Sequence, residues 1–183
     1  DIWGNDKQRM EIKSVWNDLK KFQKDAAAAG EVHPVFVGSM MDIFEKPIQL
    51  IDAKGNLQIH NTEKLRSIFF ERISNGEYPN LMFLLLTKRP SNINKYIPAD
   101  WKTNPPKNVM FGTSPVDQET ADKLIPQLLE VKGKKFLSVE PMLDEINLID
   151  YLDGIDQVIV GGESGHGKRP FNPAWARFIR EDC

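Results

Sequence analysis

Two glutamates, Glu140 and Glu163, each stand just after a short apolar run, and a basic pair, Lys88-Arg89, closes another. Carboxylates placed in this way hold a ligand amine or hydroxyls, or exchange protons. Lys88 and Arg89 suit a carboxylate or phosphate, with Arg able to grip it through two parallel hydrogen bonds. Pro90 turns the chain at once and so keeps Thr87-Lys88-Arg89 in one place. Ser39, Asp42 and Ser114 occupy comparable positions after two further runs, where Ser is also a common helix cap. Gly161 and Gly162 permit close approach of backbone to a ligand. Alone, each glutamate reads as well as a solvated residue or a partner for Lys88 or Arg89. Repetition of the same placement is what raises the pair.

The elements that position these residues are five runs: PVFVGSMMD (34–42), LMFLLLTKRP (81–90), NVMFGTSPVD (108–117), KKFLSVEPM (134–142) and QVIVGGESG (157–165). Their short, uninterrupted apolar stretches suit strands buried on both faces, as parallel strands are. Helical sequence usually follows each polar stop. The rhythm predicts an α/β fold: a partial (β/α) barrel of about five parallel strands with intervening helices, in one domain over residues 1–183. In such barrels the C-terminal strand ends carry the chemistry. Five strands fall short of the usual eight, so an open, curved sheet is expected, with edges at 35–38 and 157–160. Open edges invite pairing, which makes a homodimer or a covering partner an expectation.

Gly162–Arg169, GESGHGKR, comes close to the phosphate-binding loop G-x-x-x-x-G-K-[ST] and follows a predicted strand. Arg169 stands where the motif needs a magnesium-binding hydroxyl, and Pro170 stands where its helix should already run. The dinucleotide pattern fails on glycine order. His33, His60 and His166 lack metal-ligand spacing, so no metal site is expected from them. Trp3, Trp16, Trp101 and Trp175 read as packing residues.

Lys and Arg number 24 against 26 Asp and Glu, a formal charge of −2 that argues against general nucleic-acid binding. No apolar run approaches the ~18 residues of a membrane span, and no signal-peptide core opens the sequence. Cys183, the single cysteine, cannot form an internal disulfide, which fits a cytoplasmic protein.

Between the runs, the spacing of Ile12, Val15, Trp16, Leu19 and Phe22 predicts a helix over 7–29 that Gly30 stops. Residues 43–60 read as irregular, with turn chemistry at Ala53–Asn56. Asn61 caps a predicted helix over 62–75 that buries Leu65, Ile68, Phe69 and Ile73. A short helix is expected at 91–96 and a proline-rich loop at 98–107. A helix starts near Asp117, and Pro126 predicts a break or a kink, with two short helices as one outcome. Residues 147–152 allow one or two helical turns, and Asn172-Pro173 opens the last helix.

The segments VGSMMDIFE, LLLTKRP, NVMFGTS with DQ, KKFLSVEPML, and VIVGGESG with RPF and P-A-W stand in the order of one family's motifs. From Trp3 onward the chain resembles the phage-related family of radical S-adenosylmethionine-like proteins, a domain of unknown function. The resemblance implies a partial or full (β/α) barrel. It also implies S-adenosylmethionine and a 4Fe-4S cluster for full-length members, whose C-x-x-x-C-x-x-C would supply three thiolates. That segment lies upstream of the Trp3 region in the family, and a further strand with K-Q-W follows Cys183; this chain has neither. By position in the barrel, Gly38 to Asp42 would approach the cofactor's amino group. Thr87, Lys88, Arg89, Ser114, Ser138, Glu140, Gly161, Gly162 and Glu163 would line its ribose and carboxylate. No metal or cofactor is expected in the chain as it stands.

The functional expectation is therefore the core of a radical S-adenosylmethionine-like enzyme of unknown substrate, inactive as it stands. Two other classes compete with it. One is a non-catalytic phage-encoded interaction module. The other is a cofactor-free barrel enzyme that binds phosphate or carboxylate through Lys88 and Arg89.

Overall fold

The computed structural model describes residues 8–38 and 41–183, so Trp3, Ser39 and Met40 lie outside the described residues. The chain divides into two compact units, one of residues 1–34 and 45–82, the other of 35–44 and 83–183.

The first unit holds β1 (Arg9–Met10), α1 (Val15–Ala29), β3 (Gln49–Ile51), β4 (Leu57–Asn61) and α2 (Thr62–Ser74). Its sheet has the order β1-β3-β4, with β1 parallel and β4 antiparallel to β3. The sequence led us to expect helix from residue 7, but the chain is first extended at Arg9–Met10, and Ile12 lies outside α1. Gly30, at φ 67°, stops α1 as expected. Residues 43–48 are turn and irregular chain as expected, but beyond them β3 and β4 pair as a β-hairpin. Asp52 builds its turn, accepting hydrogen bonds from the Lys54 and Asn56 backbone N–H groups. The flanks alternate, Gln49 exposed beside buried Leu50, and Leu57 and Ile59 exposed beside half-buried Gln58 and His60. Gln and His in the strands hid that period of two from an apolar-run reading.

Asn61 caps α2 by accepting from the Lys64 N–H. The helix buries Thr62, Arg66, Phe69, Phe70 and Ile73, while Leu65 and Ile68 are only half-buried. Arg66 is buried because it donates to the Glu45 carbonyl, and the Glu45 carboxylate takes Arg9 at 2.8 Å. Gln23 and Asn80, 57 positions apart, exchange two hydrogen bonds through Asn80's backbone N–H and side-chain oxygen.

The second unit carries a five-stranded, all-parallel sheet that curls into a half-barrel, with helices between the strands. Its order is β2 (His33–Val37), β5 (Leu81–Thr87), β6 (Val109–Thr113), β7 (Lys134–Val139) and β8 (Gln157–Val160). The sheet is open, with β2 and β8 as its edges. Register fixes two faces: Leu86, Gly112 and Phe136 share one, while Phe83, Phe111 and Leu137 fall on the alternate positions. Three strand spacings separate β2 from β7, about 14 Å in a flat sheet. Yet the Phe36 and Phe136 rings lie 5.8 Å apart, edge to face. The sheet therefore curls toward them. Gly112 makes the curl possible, since a Cβ there would run into the Phe136 ring.

On the other face, Phe111 is fully buried and meets Phe44. α4 (Gln118–Leu129) buries Ala121, Ile125 and Leu128. It runs through Pro126 as one helix, not broken into two short ones. Burial of this face outweighs one lost backbone hydrogen bond, and Asp117 and Thr120 close a capping box at its start. α3 (Ile93–Tyr96) follows a single 3-10 turn at Pro90–Asn92, and another 3-10 turn, Asp100–Lys102, sits in the proline-rich loop with Trp101 buried. Residues 147–151 form no helix; one 3-10 turn, Leu152–Gly154, stands after them. α5 (Pro173–Asp182) begins at the Asn172 cap, which accepts from the Ala174 N–H.

Candidate functional site

Every described candidate rim residue of the second unit lies at or just after the C-terminal end of a parallel strand, so topology alone brings them to one end of the sheet. Hydrogen bonds then sort them into three groups. Asp42 organises the first. One carboxylate oxygen takes the Thr87 hydroxyl at 2.7 Å and the Phe44 N–H at 2.9 Å, and the other takes the Arg89 guanidinium at 2.7 Å. The Thr87 hydroxyl also accepts from the Arg89 N–H, and the Thr113 hydroxyl donates to the Thr87 carbonyl at 2.8 Å. Arg89, expected as a fork for a ligand's carboxylate or phosphate, has its Nη1 committed to Asp42. Lys88 beside it is exposed.

Glu140 organises the second group. The buried Ser138 hydroxyl donates to Glu140 Oε2 at 3.1 Å, and the buried Ser114 hydroxyl to the Glu140 carbonyl at 3.3 Å. Gly161 adjoins the carboxylate, and a Cβ there would collide with Oε1. Backbone bonds from Gly161 to Val139 and from Met142 to Gly161 fix the two strand ends together. Glu140 remains exposed. A carboxylate held from behind by one hydroxyl, with its other oxygen free of protein donors among the described residues, can accept hydrogen bonds from hydroxyls or an amine.

The third group is the loop after β8. Glu163 accepts from the Arg169 N–H at 2.8 Å, from its Nε at 3.0 Å and from Nη2 at 2.7 Å. The Arg169 side chain is the chief reason that the Glu163 carboxyl is held down at about 2 rather than 4.5, and the Arg169 backbone N–H adds to it. The pair closes a turn at Gly165–Gly167 and bounds a cleft of about 430 Å³ with Gly162, Lys168, Pro170 and Phe171. No helix follows Lys168 directly; α5 starts only at Pro173, so the phosphate-loop geometry is absent here.

Glu163 and Glu140 thus play unlike parts: the first is spent on Arg169, the second is open to solvent. Sequence reasoning passed over Arg169 as a motif mismatch, and did not single out Phe36, Phe136 or Phe171. A basic residue six positions after Glu163, across a glycine turn, was the available signal. No group of three metal-ligating side chains occurs among the described residues, and none of their helices is long and apolar enough to cross a membrane.

Residues 5–183 match a family described as protein of unknown function, DUF5131. The chain belongs to that family. No curated protein and no solved structure matches it.

Proposed function

We propose that this chain is the core of a radical S-adenosylmethionine-type enzyme, with the cofactor held at the C-terminal mouth of the half-barrel. The observation that carries this reading is the Glu140 cluster: an exposed carboxylate backed by the Ser138 hydroxyl, its backbone carbonyl held by Ser114, beside a glycine that leaves the carboxylate room. Glu140 suits the ribose hydroxyls or amino group, and exposed Lys88 on the same rim suits the carboxylate. Asp42, Thr87 and Arg89 act behind them by fixing the start of that rim. When bound, S-adenosylmethionine supplies a sulfonium whose reductive cleavage begins radical chemistry. The residues present do not fit the iron–sulfur cluster, because Cys183 is a single thiol. No electron-transfer step is therefore assigned to this chain. The five ordered motifs favour the same family of chemistry, and a cytoplasmic setting goes with it.

Calorimetric titration of the chain with S-adenosylmethionine tests the reading. Saturable binding is expected, weakened about tenfold or more in Glu140→Gln, the usual cost of losing a charged hydrogen-bond acceptor. Absence of binding, or equal binding in Glu140→Gln and Lys88→Ala, would remove it.

A further inference from the structure

The cleft after β8 takes no part in the Glu140 cluster, and its lining combines two chemistries. Its volume of about 430 Å³ is in the ~300–1,000 Å³ range of small-ligand sites, room for one nucleotide. Pro170 and Phe171 supply an apolar wall. Gly162 lets Phe171 lie against the backbone, since a Cβ at 162 would meet Phe171 Cβ. Lys168 is exposed and has no ion-pair partner among the described residues. Arg169 spends Nε and Nη2 on Glu163, which leaves Nη1 without a hydrogen bond among the described residues. The Glu163 charge is offset by Arg169, so the lining carries the single surplus positive charge of Lys168. With Glu163 held ionised, Arg169 is fixed in place and its free edge is preorganised for an anion.

We propose that this cleft binds a nucleoside monophosphate, its base against Phe171 and its phosphate between Lys168 and Arg169 Nη1. An aromatic face and an ammonium suit a planar ring that carries one phosphate better than either group alone. The lining comes from one ten-residue stretch, 162–171, and the chain's charge is −2. Both features favour a free mononucleotide over a nucleic-acid strand, which needs an extended basic track.

The experiment titrates the chain with 5′-mononucleotides, nucleosides, inorganic phosphate and a short single-stranded oligonucleotide, followed by NMR of the 162–171 amides. Saturable mononucleotide binding is expected, about tenfold or more tighter than nucleoside or phosphate alone. Lys168→Ala and Phe171→Ala each weaken it by about tenfold, and Phe171→Trp retains it. Absent binding, equal binding of phosphate alone, oligonucleotide binding without mononucleotide binding, or indifference to both alanine variants would each overturn the proposal. Excess S-adenosylmethionine should leave the bound mononucleotide in place; displacement would merge the cleft with the Glu140 mouth and end its claim to separate status. If S-adenosylmethionine fails to bind while the mononucleotide still does, only the cofactor reading falls.

Discussion

The second unit contains two aspartate- or glutamate-to-arginine pairs of equal length, 2.7 Å each, that do different jobs. Asp42 and Arg89 are 47 residues apart, and the Asp42 side chain is only 14% exposed. Glu163 and Arg169 are six apart, with the Arg side chain 60% exposed. The first pair joins two distant segments and also satisfies Thr87 and the Phe44 N–H. The second closes a loop on itself. Equal bond lengths therefore imply unequal consequences, because what matters is how much chain each pair organises and how dry it is.

Asp42→Ala should give the largest effect. It removes the Asp42 carboxylate as acceptor for the Thr87 hydroxyl, the Phe44 N–H and Arg89 Nη1, a loss of about 2–4 kcal/mol by denaturant unfolding. A change below the error of the measurement would make this pair no different from the loop pair. Thr113→Val tests the next link inward. It removes one buried hydroxyl bond to the Thr87 carbonyl, at a cost of about 1 kcal/mol.

Glu163→Gln should leave the global unfolding midpoint unchanged while the Arg169 amide exchanges faster with solvent, a split visible by hydrogen exchange. Loss of global stability in this variant would show that the loop supports the sheet. The smallest effect is in pH. Because the folded Glu163 carboxyl sits at about 2, below its ordinary 4.5, its contribution to loop order is complete above 4.5 and is lost as pH falls through about 2. NMR titration should find that midpoint near 2 in the native chain and raised toward 4.5 in Arg169→Ala, which keeps the backbone N–H.

The strands were legible because parallel strands buried on both faces leave uninterrupted apolar runs: LMFLLL and NVMFG fall within or beside β5 and β6. Glycine and Asn-Pro punctuation placed the C-terminal end of α1 and the start of α5 equally well. The β3–β4 hairpin was not legible, since Gln49, Gln58 and His60 occupy strand positions and break the apolar signal. Pro126 misled for another reason: its local cost is fixed, but the tertiary burial that offsets it is invisible in one sequence. The rim order was readable, since polar residues at parallel strand ends must share a side. Which of them are already paired was not. Asp42 taking Arg89, and Arg169 taking Glu163, depend on loop paths that no spacing rule specifies.

Gly112 lies against the Phe136 ring, which meets Phe36 so that the two rings bridge from the first strand of the sheet to the fourth. The radius of the arc is thus set by the size of a pair of phenyl groups rather than by how many strands are present. A homologue with leucine at 136 should bend more tightly, and one with a side chain at 112 should flatten and widen its opening, so ligand size across the family ought to track these two positions before any residue of the rim.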